Sequence, residues 1–450
     1  MNKIFWLFVI LVVLAPLPFG LVFEVTQAFF ACTVLGLVLA YCILLLKENT
    51  HPAVSLKRIW PETIGFSLIL GWGILQISTF TPESWHHPLW AEAGRALGED
   101  IRGSISLARG AGFEAIMRMV TYGAVFFLAL QLGRDRNRAE KMFWAVSLAA
   151  TLYAVYGLLM HLGGFDLVLW EDRSSVVRNV TGTFINRNNF ATFLGLGLLC
   201  AAGLYLSGFF KALRSRRFGR DRMHHLLQQA FIRGAPLLAC ILILLTALFL
   251  TNSRAGVVST LAALVVLILF LGVFLRLSSA VYRLAAITLL AAGLGVFLMS
   301  GEGWLDRLTA TDLEREARLL RYEQTWQAIE SAPWTGYGTG SFKQTFPLFA
   351  DHRTINTDKV HNDWLETMFD LGLPAAFIWF AVLGGLGLRC VTGFFRRERD
   401  HLYAAVGVSA CVLIGLHSLV DFSLQIPAVA VTFAVILGVG VAQSRSSVHQ

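Results

Sequence analysis

Residues 27–46, QAFFACTVLGLVLAYCILLL, run for twenty positions without a charged side chain. A helix rises about 1.5 Å per residue, so roughly 20 residues match the ~30 Å hydrocarbon core of a bilayer. Runs of this kind recur along the whole chain. They fall at 4–22, 27–46, 60–80, 113–132, 142–163, 188–210, 236–252, 255–275, 281–299, 364–388, 402–420 and 427–443. The pattern predicts an all-α integral membrane protein, one polytopic domain over 1–450 with about twelve transmembrane helices. Hydrophobic residues make up 56% and charged residues 15% of the chain, a surface no soluble domain can hide. The first run follows a single Lys3 and could pass for a signal peptide. It has no small-x-small cleavage site and is read as the first span.

Lys and Arg set the orientation. With both termini in the cytoplasm, most of the 37 basic residues fall inside and most of the 29 acidic residues outside. The run FFKALRSRRFGRDRMHH (209–225) is the strongest inner anchor, suited to anionic lipid head groups. It is too short to fold into a nucleic-acid reader, so no nucleic-acid partner is expected. Two outer segments exceed what a connection needs, 81–112 and the large loop 300–363. All six cysteines lie in or at the end of apolar runs, which argues against disulfides and Cys-based metal sites. His86 and His87 are read as surface residues.

Polar features gather at the outer level. In TGTFINRNNFATFLG (181–195), Asn186, Arg187, Asn188 and Asn189 stand at the start of the sixth run, more polarity than a helix cap needs. In LFLTNSRAGVVST (248–260), Arg254 stands where two runs meet with almost no loop. Ionisable residues near the membrane core usually face a cavity and a partner. Glu114 and Arg118 sit at i and i+4 and should pair. The stretch 311–331 reads as an interfacial helix, with Leu319, Tyr322, Trp326 and Ile329 on one face and Arg318 and Arg321 beside it. PWTGYGTGSF (333–342) follows, its glycines allowing close approach to a ligand. Then comes KVHNDWLETMFDLGLP (359–374). Several arginines at a lipid interface suggest a phosphorylated lipid head group, because the guanidinium fork matches phosphate oxygens. A histidine there can act as a general base near neutral pH.

These residues resemble the O-antigen ligase/polymerase superfamily of bacterial inner-membrane glycan transferases, over about 180–390. GTFINRNNFA looks like its N-rich motif and TNSRAG like its SRxG motif. Arg321, Trp326 and PWTGYGTGSF look like the stretch before its histidine motif. His361-Asn362 with Gly372 is similar to H[NSQ]-x9-G-xx-[GTY], and Ala375 departs from the last position. The resemblance implies a GT-C-related helical fold and a metal-independent, inverting glycosyltransferase without cofactor. The donor would be an undecaprenyl-diphosphate-linked glycan. The acceptor would be lipid A-core in a ligase, a second lipid-linked repeat unit in an O-antigen or exopolysaccharide polymerase, the close alternative, or a protein in some relatives. The site would lie on the periplasmic face of the inner membrane, among membrane lipids, with the 81–112 and 300–363 loops periplasmic. On this chain the resemblance implies that Arg254 and Arg321 bind the diphosphate and His361 deprotonates or orients the acceptor hydroxyl. Arg187, Arg318, Asn186, Asn189 and Asn362 would line the substrate, and Asp363 would set the His361 tautomer. No outer arginine has a glycine eleven residues on, which favours ligase over the polymerase pattern R-x10-G. A twelve-span transporter or flippase is the remoter reading, disfavoured by the single large loop and the clustering of charge at one face.

Overall fold

In hydrocarbon every backbone N–H and C=O must be paired within its own segment, so apolar runs become helices. A computed structural model describes residues 1–165, 167–172, 179–213, 228–274, 287, 304–397 and 401–445. The described chain is helical apart from one two-residue pairing, Leu167–Val168 with Glu171–Asp172. The helices in order are α1 (Asn2–Leu14), α2 (Glu24–Lys47), α3 (Trp60–Ile77), α4 (Leu89–Leu97), α5 (Arg109–Leu132), α6 (Arg136–Leu162), α7 (Arg187–Leu213), α8 (Ala235–Leu250), α9 (Arg254–Phe274), α10 (Trp304–Ser331), α11 (Phe342–Thr345), α12 (Asp363–Leu371), α13 (Leu373–Arg396), α14 (His401–His417) and α15 (Pro427–Ala442).

Among the described residues six helices are long and apolar enough to cross a membrane: α2, α5, α6, the 187–209 part of α7, the 254–273 part of α9, and α13. Four expected spans are shorter apolar helices, α1, α8, α14 and α15. At about 1.5 Å per residue a 16-residue helix such as α8 or α15 reaches ~24 Å, short of the ~30 Å core. Helix α3 has the length but opens on Trp60, Pro61 and Glu62, and falls outside the six. The expected span at 281–299 and most of the basic run at 209–225 lie outside the described residues.

Apolarity did not mean contact with lipid everywhere. Every residue of α15 is buried inside the protein, between α5, α14 and α7. A helix apolar all round can satisfy itself against protein as well as against lipid. By contrast α2 exposes Val25, Phe29, Leu39 and Leu46. α9 packs on α14, α6 on α7, and α13 on α3. All six cysteines are free.

The two ends of the bundle differ. Arg138 reaches Asn2 Oδ1 at 2.9 Å, and Arg134 reaches the carbonyls of Ala442 and Arg445 at 3.1 and 2.7 Å. Asn2, Arg445 and the α5–α6 turn therefore share one end. The first residues of α7 and α9, together with His361, lie at the other.

Candidate functional site

At that second end α7 and α9 start side by side, each led by an arginine. Gly256 makes this possible: a Cβ there would lie 2.6 Å from Ala191 Cβ, so no larger side chain lets the first turns approach. The corner before α9 is held by the segment before α7. Val180 N–H donates to Leu250 O at 3.1 Å, and Asn252 Nδ2 to Asn179 Oδ1 at 2.6 Å. Arg187 and Arg254, expected near each other, are brought to neighbouring helix ends, with both side chains exposed. Two helix N-termini also direct backbone N–H groups and positive dipole ends the same way.

His361 precedes α12 in a left-handed backbone conformation, φ 61°. Histidine tolerates this region better than most residues, yet such conformations cost about 1–3 kcal/mol and persist where surrounding contacts fix them. Three contacts do so. Asn362 Oδ1 caps α12 by accepting from Trp364 N and Leu365 N at 3.0 and 3.1 Å. Tyr322 of α10 donates its hydroxyl to His361 O at 2.9 Å. The imidazole stands edge-on to Phe422, 4.9 Å between ring centres. His361 keeps 26% of its side chain exposed.

The acid facing His361 is Asp421, in the turn between α14 and α15. Its Oδ1 lies 3.6 Å from His361 Nδ1 and 3.4 Å from Asn188 Nδ2. Its Oδ2 accepts from Ser423 Oγ at 2.6 Å. Asp421 is fully buried. Burial alone would raise its pKa, but His361, His417 and Ser423 outweigh it and hold the carboxyl below its ordinary value. An ionised Asp421 favours the His361 tautomer with the proton on Nδ1, which leaves Nε2 as the basic nitrogen.

Asp363, expected to orient His361, lies elsewhere. Asp363 turns to the other side of α12 and accepts from Ser418 Oγ (3.0 Å), Leu424 N (3.2 Å) and Gln425 Nε2 (3.1 Å). Asn189 is also displaced from a substrate-lining role. It is 2% exposed and its Oδ1 accepts from Ser423 Oγ at 3.2 Å. Asn186 caps α7, accepting from Asn188 N at 2.7 Å. The asparagine run thus knits α7 to the Asp421 turn, through Thr192, which contacts His417 Nδ1 at 2.6 Å and Ser423 Oγ at 2.9 Å. Asp421, His417 and Ser423 were missed from the sequence. The signal was present in HSLVDFSLQIP (417–427), an acid and a histidine at a junction of two apolar runs.

Arg318 and Arg321 come from α10, whose docking differs from expectation. Its apolar stripe was expected to face lipid. Instead Ile329 and Tyr322 pack against Tyr337, Phe342, Val360 and Phe369, and only Leu319 and Trp326 remain exposed. The loop 342–360 supplies apolar cover of its own. Burial raises the pKa of the Tyr322 hydroxyl, and the charges of Arg318 and Arg321 on the same helix oppose that rise. The glycines of PWTGYGTGSF serve packing within the protein. A Cβ on Gly336 would sit 2.4 Å from Gly372 N, and one on Gly372 2.6 Å from Trp334 O. The His-Asn-x9-Gly spacing therefore ends where two stretches of chain touch backbone to backbone. Ala375 lies one helical turn on, buried beside Ile69 and Ala376.

Residues 239–380 match the family model described as O-antigen ligase. Over this stretch, about a third of the chain, the sequence is similar to O-antigen ligases. No curated protein matches the chain. The similarity is to membrane-embedded enzymes of O-antigen ligase or polymerase type. The matched stretch holds Arg254, Arg318, Arg321, Tyr322, His361 and Gly372. Arg187 and the asparagines lie before it and Asp421 after it, so the orienting acid reaches it from a neighbouring helix pair.

The matched stretch also walls a cleft of about 380 Å³ between α3, α5, α13 and α15. Phe66, Met119, Phe126, Trp379, Val382 and Phe433 line its depth, and Arg118, Lys359 and Glu366 its outer end. Lys359 bonds Glu366 Oε1 at 3.1 Å and also Gln425. Arg118 and Glu114 face each other at 4.0 Å, as their spacing predicts. An apolar cavity with a charged rim suits an amphiphile. Among the described residues no His, Cys, Asp and Glu are grouped to hold a metal ion.

Proposed function

We propose that the protein transfers a glycan from a polyprenyl diphosphate to an acceptor hydroxyl at the outer face of the inner membrane, within a twelve-crossing, GT-C-related fold. The observation that carries this is the His361–Asp421 pair, set beside the arginine-bearing helix α10. His361 Nε2 takes the acceptor proton as the acceptor oxygen attacks the anomeric carbon. A new C–O bond forms, the bond to the phosphate oxygen breaks, and the diphosphate leaves with the electron pair. Attack from the face opposite the leaving group inverts the anomeric centre. Arg187, Arg254, Arg318 and Arg321 hold the diphosphate and stabilise its growing charge, so the step needs no metal. The apolar cleft accommodates a lipid chain while its head remains at the arginine level.

The ligase reaction, with lipid A-core as acceptor, is favoured over polymerisation by the absence of the R-x10-G spacing from the outer arginines. The test is purified protein in lipid nanodiscs with a lipid-diphosphate glycan and each acceptor. Arg254→Ala and Arg321→Ala are expected to abolish transfer while the protein still inserts, and EDTA to leave the wild type unaffected. Wild-type turnover by either variant removes the diphosphate role. Loss in EDTA restored by Mg²⁺ removes the metal-free step.

A further inference from the structure

The outer loop 81–112 folds back over the matched stretch and leaves a second concavity of about 950 Å³, at the upper end of the ~300–1,000 Å³ usual for ligand pockets. One wall comes from Trp72, Trp85, His86 and His87, the other from Trp334, Tyr337 and Phe349. None of its lining residues is an acid, a lysine or an arginine. Trp334 is 75% and Trp85 45% exposed, so the rings are presented rather than packed away. The rest of the frame is firmly made. Trp72 Nε1 donates to Leu371 O at 2.9 Å, and Tyr337 Oη bonds Ser331 Oγ at 2.5 Å. His87 N–H donates to Ser104 O at 3.0 Å, and its Nδ1 accepts from Leu89 N at 3.3 Å. That acceptor role leaves the His87 proton on Nε2. Burial holds its pKa below the usual 6.5, so it is a neutral donor.

We propose that this groove binds an uncharged oligosaccharide, the glycan chain carried by the transfer substrate. The ligand class rests on the glycan-transfer reading; the groove itself does not. Pyranose rings carry flat C–H faces that stack on aromatic rings, with hydroxyls at their edges for small polar groups. Trp85 and Trp334 offer the faces, and Ser84, Thr335 and His87 the edges. The absence of charge disfavours a phosphate or an acidic peptide, since neither would find a counter-charge. The place fits as well. Ser331 follows Arg321 by ten residues and Arg318 by thirteen on α10, so the groove begins ~15–20 Å along the helix axis from the arginines. A chain held by its diphosphate at Arg318 and Arg321 reaches it after a few sugars.

The experiment uses full-length protein in nanodiscs, with maltohexaose and N-acetylchitohexaose as neutral probes and an oligogalacturonate as the charged one, read by saturation-transfer NMR. At least one neutral probe is expected to bind and the charged one to bind more weakly. Trp85→Ala and Trp334→Ala should each lower affinity about three- to tenfold, the range of one aromatic contact. Phe80→Ala, an exposed aromatic outside the groove, should not. His361→Ala should bind the probes normally, which separates this site from the transfer site. If transfer itself failed to occur, the probe result would still stand. No binding of either neutral probe by the wild type, or equal binding by the two tryptophan variants, overturns the proposal. The latter outcome, with reduced lipid association of those variants, would instead make the tryptophans membrane-interface anchors.

Discussion

The two ends of the bundle use the same residue types for opposite purposes. At the end that holds Asn2 and Arg445, Arg389 gives Nε and Nη2 to both oxygens of Glu62 at 2.6 and 2.8 Å, and Nη1 to Arg58 O at 2.7 Å. Arg397 bonds the carbonyl and side chain of Gln443, at the C-terminal end of α15 where a cation is favoured. Here arginine closes the structure. At the other end Arg187 and Arg254 lead helices with exposed side chains, and the buried bonding is done by Asp421, Ser423, Thr192 and Asn189. Here polar neighbours hold a histidine whose ring remains accessible. The difference is one of burial: Arg389 is sunk against Glu62, while Arg187 and Arg254 keep exposed side chains at the end that also holds the partly exposed His361.

The comparison breaks most easily at His361. His361→Ala should lower turnover about 10²–10⁴-fold, the usual contribution of a general base, with the thermal midpoint retained. Full activity in that variant would end the role of this end as a catalytic one. The matching change at the opposite end, Arg389→Ala, strands a buried Glu62 and should cost about 3–5 kcal/mol of stability. Turnover per folded molecule should not change, and denaturant unfolding alongside activity tells the two apart. Asp421→Asn should reduce kcat about 10–100-fold through loss of the His361 tautomer, with KM for the lipid donor little altered. A change confined to KM would assign Asp421 to binding. Tyr322→Phe removes one hydrogen bond to His361 O and should cost about 0.5–1.5 kcal/mol, seen as a small drop in thermal midpoint and in kcat.

A further effect concerns pH. Burial, then the Glu366 charge, push Asp363 from 3.8 up to about 7, against hydrogen bonds from Leu424 N and Ser418 that favour ionisation. A carboxyl with a raised folded pKa binds more protons folded than unfolded between those values. Stability from this group is therefore present below about 4 and falls as pH rises to about 7. Asp363→Asn should flatten the thermal midpoint across that window. An unchanged slope would show that Asp363 stays ionised.

Much of the candidate site is legible in the chain alone. Arg254 between two apolar runs, Arg187 among asparagines, and His361 ahead of a span each stand out because lipid penalises polarity, so a polar residue there signals a partner. The partners themselves are not legible. Asp421 lies sixty residues after His361, on another helix pair, and nothing local distinguishes it from Asp363, two residues away. Burial and direction decided between them. The same holds for α10, whose apolar stripe is visible in periodicity while its cover is supplied by Phe342, Val360 and Phe369.

By itself the sequence determined the membrane class, the helical segments and the level at which polar residues collect. It could do so because bilayer thickness and backbone hydrogen bonding act on each segment alone. Only the tertiary structure decided which apolar helix is buried in protein, which carboxylate faces the histidine, and that His86 and His87 line an aromatic groove. Those outcomes depend on which side of one helix meets another, and no single segment carries that information.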